Sequence, residues 1–183
     1  MRIHRTPIAG LVLVESTLQT DERGFFTRLY CQKELGELVG ERQIVQINQS
    51  STRTVGAVRG LHYQREPYAE MKLVRCIKGK VWDVAVDLRA SSSTFLHWHA
   101  EELSAENAYM MVIPEGFAHG FQVLEQDSEL VYLHTAFYVP AAEGGIRPTD
   151  PELPIAWPLA PQDLSDRDLN HPLLTSEFTG LVL

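Results

Sequence analysis

Several stretches of this chain place imidazole, ammonium, phenol and carboxylate groups where proton transfer can be carried out. The first is Arg59-Gly60-Leu61-His62-Tyr63-Gln64, followed by Lys72. Strict strand alternation puts Arg59 and His62 on opposite faces. Gly60 is a poor residue for a strand interior and predicts a bulge or a close backbone approach, which would bring both side chains to one side. Lys72 opens the next apolar run across a short connection, so a base, a guanidinium and an ammonium can share a face. A histidine inside a strand is as commonly a satisfied core or surface group, so position alone assigns His62 no role.

The second stretch is Ile113-Pro114-Glu115-Gly116-Phe117-Ala118-His119-Gly120-Phe121. Its Pro-x-Gly-x-x-His spacing resembles the second conserved motif of the cupin superfamily, where a tight turn presents the histidine into a barrel. Metal-binding cupins add a His-x-His pair from the first motif, and here Gln64 stands where the second of those histidines falls. Single imidazoles at His62 and His119 are too few for an ion that needs at least three N or O ligands, so no metal is expected. His97, His99 and Glu101 also alternate with metal-like spacing. Leu96, Trp98 and Ala100 occupy the other face, however, and make the polar triplet a solvated face. In Leu130 to Tyr138, Tyr132, His134 and Tyr138 share one parity, as any aromatic-bearing barrel strand would arrange them. Leu164-Ser165-Asp166-Arg167-Asp168 is an acidic cluster that caps a helix or orients an imidazole, capping being the commoner use.

The elements that must position these groups are mostly strands. Runs at 8–15, 24–30, 44–48, 57–64, 72–77, 81–88, 109–113, 120–124 and 130–138 read as strands, with one helix over 33–39. Trp82, Val84, Val86 and Leu88 alternate with Val81, Asp83, Ala85 and Asp87, the period of two that a half-buried strand requires. Lys78-Gly79-Lys80 reads as a hairpin turn with Gly79 taking positive φ. Many short strands with little helix between them predict an all-β antiparallel sandwich or barrel. The 183 residues fit one domain: a barrel over about 8–139, then a Pro-rich segment over 140–183. That segment should be irregular, with a short helix after Ser165, and its Leu153, Ile155, Trp157 and Leu159 should pack on the barrel.

Composition narrows the partners. A net charge of −8 argues against nucleic acid, which would meet a repulsive field. Cys31 and Cys76 form no CxxC and read as reduced thiols. No apolar run approaches the roughly 18 residues of a membrane span, and no signal-peptide core follows the N-terminus, so a cytoplasmic location is expected.

Taken together, Asp21-Glu22-Arg23-Gly24-Phe25-Phe26, the 59–64 stretch, Lys72-Leu73-Val74-Arg75-Cys76, Asp83 to Arg89, Leu103 to Asn107, Ile113 to Phe121 and Ser165 to Asp168 resemble the dTDP-4-dehydrorhamnose 3,5-epimerase family, in the family's order over about residues 3–172. The resemblance implies a cupin-type jelly-roll barrel with short peripheral helices, no cofactor, no metal, and a homodimer with an exchanged N-terminal strand. It implies a nucleoside-diphospho-4-keto-6-deoxyhexose substrate, whose C3 and C5 protons lie α to the C4 ketone. His62 would be the base and Asp168 its partner. Lys72 would face the developing O4 charge, and Tyr132 would be the acid on the opposite face. Arg23, Gln46, Asn48, Arg59, His119, Glu143 and Arg167 fall on positions that contact sugar, pyrophosphate or nucleoside.

Three positions depart from the family pattern. Arg28 stands where many members carry a nucleoside-contacting Glu, Phe137-Tyr138 replaces a frequent aromatic pair with one hydroxyl fewer, and Arg167 replaces a common Lys. Arg28 has only donors, which suits cytosine N3 and O2 rather than the thymine N3–H; otherwise it turns outward or binds phosphate. The nucleotide therefore stays open between thymidine and cytidine, as does inversion at C3, C5 or both. A metal-dependent cupin and an inactive sugar-binding cupin are the remaining readings.

Overall fold

A computed structural model describes residues 1–183. It has thirteen strands: β1 Arg2–Arg5, β2 Val12–Glu15, β3 Gln19–Asp21, β4 Gly24–Phe26, β5 Gln46–Thr52, β6 Val58–Gln64, β7 Lys72–Lys78, β8 Lys80–Asp87, β9 Trp98–Ser104, β10 Tyr109–Ile113, β11 Phe117–Val123, β12 Ser128–His134 and β13 Glu143–Gly145. Two short helices, α1 (Gln32–Val39) and α2 (Asp166–Asn170), accompany them. Two antiparallel sheets carry the architecture, ordered β1-β2-β10-β7-β12-β5 and β13-β6-β11-β8-β9, with β3 and β4 forming a separate hairpin. The fold is all-β, of the cupin-like jelly-roll type.

Both sheets are apolar on the sides that meet. Leu13, Val74, Met111 and Leu130 from the first sheet and Val81, Ala85, Phe117 and Phe121 from the second form one buried cluster between them. The outer sides are covered as well. Leu35 and Val39 of α1 pack over Val14, Leu73, Met110 and Leu133. The C-terminal segment lays Leu153, Ile155, Trp157 and Phe178 over Leu61, Val84, Val86 and Leu88. Burying this much apolar surface, at roughly 25 cal/mol per Å2, is what holds an irregular segment in place.

This double cover changes the reading of β8. Its apolar alternation is real, but Val84, Val86 and Leu88 face outward beneath the C-terminal segment, while Asp83 and Asp87 of the other parity are also fully buried. The strand is buried on both sides, with the carboxylates on the side that faces the first sheet. Other boundaries also move. The first expected strand shortens to β2, with β1 an additional strand ahead of it, and the 24–30 run ends at Phe26. The 130–138 run ends at His134, leaving Phe137 and Tyr138 in an exposed loop. The hairpin at Gly79, with φ +71°, and the short helix after Ser165 stand as expected. Cys31 and Cys76 are unpaired.

Candidate active site

Gly60 sets the local geometry. At its φ of +114°, a Cβ would lie 2.7 Å from Gly120 Cα and 2.7 Å from the His119 carbonyl, so β6 and β11 approach as closely as only glycines permit. Opposite this point the register steps from His119–His62 to Phe121–Arg59, with Gly60 and Leu61 facing Gly120 alone. The extra residue is the anticipated bulge, and through it Arg59 and His62 both reach one cavity.

Asp168 comes to His62 from the other end of the chain. Ser165 caps α2 by accepting the Asp168 amide at 3.1 Å, which orients the first turn toward β6. Asp168 Oδ1 then lies 2.6 Å from His62 Nε2, and Oδ2 accepts from the Gly60 amide at 3.4 Å. Burial works to raise the Asp168 pKa, but the His62 hydrogen bond and charge outweigh it, and the carboxyl sits below its ordinary value. An ionised Asp168 requires Nε2 to carry the ring proton, leaving the Nδ1 lone pair as the basic site. Arg167 Nη2 lies 3.0 and 3.4 Å from the two ring nitrogens, while its Nη1 donates to Glu143 at 3.1 Å.

The first sheet supplies a second wall. Tyr132 shares a 2.8 Å hydrogen bond with the Ser50 hydroxyl. Burial pushes its phenol well above the ordinary tyrosine value, so it stands protonated as a donor. Lys72 Nζ donates to the His62 carbonyl at 3.3 Å. His119 Nε2 lies 2.7 Å from Asp83 Oδ1, and Asp83, fully buried, is raised above the usual carboxylate value by that burial, only partly offset by His119.

These groups line a cavity of about 330 Å3. Of the residues singled out in the sequence, His62, Lys72, Asn48, Arg59, His119, Tyr132, Glu143 and Arg167 line it, with Asp168 directly behind His62. Gln46 lies at its edge, accepting the Tyr138 amide at 3.2 Å. Arg23 and Arg28 do not reach the cavity of their own chain. Arg23 is 89% exposed beside Asp21 in the β3–β4 turn, and Arg28 is ion-paired to Glu34. Among the sequence's decoys, His99 hydrogen-bonds Glu101 at 2.9 Å while Leu96, Trp98 and Ala100 pack on the core, the solvated-face arrangement.

Glu70 and His134 line the same cavity and were not singled out as site residues. His134 shares strand parity with Tyr132, the one signal that could have drawn attention to it. Glu70 closes a connection whose sequence carries no such signal.

A cupin-type jelly roll whose cavity offers a carboxylate-backed imidazole, a neutral phenol and an ammonium has the parts of an acid–base isomerase. Comparison with known proteins narrows that class. The family model for dTDP-4-dehydrorhamnose 3,5-epimerase matches residues 5–176. The dTDP-4-dehydrorhamnose 3,5-epimerase of Shigella flexneri is 48% identical over 93% of this chain and 94% of its own. A crystal structure of the Bacillus anthracis dTDP-4-dehydrorhamnose 3,5-epimerase with TDP and pyrophosphate bound superposes with a TM-score of 0.91 at 39% identity, covering 94% of this chain and 99% of that one. A 3'-monoepimerase from Streptomyces bikiniensis in complex with dTDP-quinovose superposes at 0.86 with 34% identity, covering 93% and 86%. The chain belongs to the dTDP-4-dehydrorhamnose 3,5-epimerase family and is a carbohydrate epimerase.

Proposed function

We propose that this chain inverts C3 and C5 of dTDP-4-keto-6-deoxyglucose, forming the 4-keto-rhamnose isomer for deoxysugar synthesis. The observation that carries the reading is the 2.6 Å His62–Asp168 pair lying on one cavity with Tyr132 and Lys72. Nδ1 of His62 removes a proton α to the ketone, and Asp168 stabilises the imidazolium that results. The C–H electron pair moves into an enolate whose oxygen is met by the Lys72 ammonium. Tyr132 then delivers its proton to the opposite face of the carbon, which inverts it, and solvent restores both groups. Arg59 and Arg167 supply guanidinium forks suited to a pyrophosphate.

Arg28 bears on the nucleotide. Its guanidinium is committed to Glu34, which supports thymidine selection by other groups over a cytidine-specific contact. Arg23 and Arg28 flank Phe25 and Phe26, which are 62% and 67% accessible on the β3–β4 hairpin, and this supports a homodimer in which the N-terminal segment crosses to a second copy. Proton NMR in heavy water with dTDP- and CDP-4-keto-6-deoxyglucose tests the whole reading. Exchange and inversion at C3 and C5 are expected with the dTDP sugar; exchange at one carbon only, or preference for the CDP sugar, replaces it.

One observation favours a second reading. The ligand atoms of His62, Asp168 and His171 lie within 4.8 Å of one another, a spacing that a divalent ion can bridge. Full turnover after exhaustive chelation is expected. Activity lost to the chelator and restored by a divalent ion would establish the metal instead.

A further inference from the structure

Glu70 closes the β6–β7 connection, and its carboxylate is shared between two partners. Oε1 lies 3.2 Å from Lys72 Nζ, and Oε2 lies 2.7 Å from His134 Nδ1. Both side chains are nearly covered, at 8% and 11% exposure. His134 stands directly opposite Lys72 in the β7–β12 register. Its Nε2 is 3.3 Å from Asn48 Nδ2, and its ring stacks beside Tyr132 with centroids 6.1 Å apart. The network therefore ties two residues on ligand-contacting positions, Lys72 and Asn48, through two that have no assigned role.

The bonds fix the protons. Burial works to neutralise Glu70, but the His134 hydrogen bond and the Lys72 charge hold the carboxyl below its ordinary value, so it is an acceptor at both oxygens. The neutral His134 ring then donates from Nδ1, which leaves Nε2 to accept from the Asn48 amide. Asn48 consequently turns Nδ2 away and keeps Oδ1 as its free acceptor. The Lys72 ammonium has three protons. One goes to Glu70, one to the His62 carbonyl at 3.3 Å, and the third is left for the cavity. A lysine stem of four rotatable carbons is otherwise loose. Anchoring its head to the backbone carbonyl of the base makes the base-to-ammonium spacing a property of β6 itself.

We infer that Glu70 and His134 are positioning residues, which clamp the Lys72 ammonium with one N–H directed at the substrate's reacting carbonyl and hold the Asn48 amide in one orientation. This rests on the enolate chemistry proposed above. The test is a double-mutant cycle with a substrate-free companion measurement. Glu70→Gln should lower kcat about 10- to 100-fold, the cost of an ångström-scale misplacement, while KM moves less than about threefold. In a Lys72→Met background the same substitution should have no further effect, because Glu70 acts through Lys72. An equal loss in both backgrounds, which a merely structural role produces, overturns the inference, as does an unchanged kcat. In the unliganded wild-type protein at pH 8, nitrogen NMR should find the His134 proton on Nδ1. A ring protonated at Nε2 dismantles the clamp whether or not the variants fold. Should the wild-type protein exchange no substrate protons, the proposed function falls, and the tautomer still decides whether the clamp exists.

Discussion

Asp168 lies 106 residues beyond His62, yet its Oδ1 sits 2.6 Å from His62 Nε2, so the basic nitrogen of a barrel strand is selected by a carboxylate from the C-terminal segment. The tautomer, and with it the nitrogen left free to accept a proton, depends on a helix of five residues whose N-cap is Ser165.

The two partners should therefore fail to different degrees. His62→Asn removes the basic nitrogen and should abolish solvent exchange at both C3 and C5. Asp168→Asn leaves the ring but frees its tautomer, and turnover should drop by about 100- to 10,000-fold. Proton NMR of the substrate in heavy water reads both. Wild-type turnover in His62→Asn would remove that residue from the reaction.

Tyr132→Phe should separate the two halves of the chemistry. With the phenol gone, His62 can still take a proton and return it to the same face. Exchange of deuterium should then outlast inversion, measured in one sample by loss of the C3 and C5 proton signals against the appearance of product. Equal losses in both would assign the donor role elsewhere.

Gly60→Ala should unfold or loosen the site. The new methyl would lie 2.7 Å from backbone atoms of β11, and the residue sits at φ +114°, where an L side chain is strained. A loss of about 2–4 kcal/mol in a urea melt is expected. Gly36→Ala, with nothing within 4 Å and in the middle of α1, should by contrast be neutral or stabilising.

Asp87 should make the fold acid-sensitive in a defined window. Burial raises its pKa, but Arg89, Ser92 and Thr94 together hold it at about 2, below the ordinary 3.8. Because the folded value lies below the unfolded one, the carboxylate stabilises the protein fully above about pH 4 and loses that contribution as pH falls toward 2. Asp87→Asn should cost about 1.5–3 kcal/mol at pH 7 and almost nothing at pH 2. Urea melts at both pH values check the narrowing of the gap; a constant difference would show that the carboxylate charge is not what the site uses.

The site was legible wherever chemistry and local backbone demand coincide. Gly60 inside an apolar run signalled the bulge, and the bulge is what joins Arg59 to His62. The resemblance supplied the pairing of His62 with Asp168, which no periodicity contains. The inward face of β8 was not legible, because alternation shows that one face is apolar and not that a later segment will cover it from outside. Glu70 and His134 escaped for a related reason: their partnership arises from the register of β7 against β12, and register is fixed by the whole sheet. The short edge strand β1 carries Arg2, His4 and Arg5 with no apolar alternation to reveal it.

The late arrival of Asp168 also orders events during synthesis. Every barrel strand through β13 precedes Asp168 in the chain, so His62 is made well before its carboxylate partner. The carboxylate that selects its tautomer follows β13 after about 1–5 s at ~5–20 residues per second. Through that interval the nascent chain carries an unbacked imidazole in a pocket that still lacks Arg167. A prematurely terminated product that lacks α2 should thus hold a nucleotide sugar weakly and turn it over slowly, because it is missing Arg167 as well as Asp168.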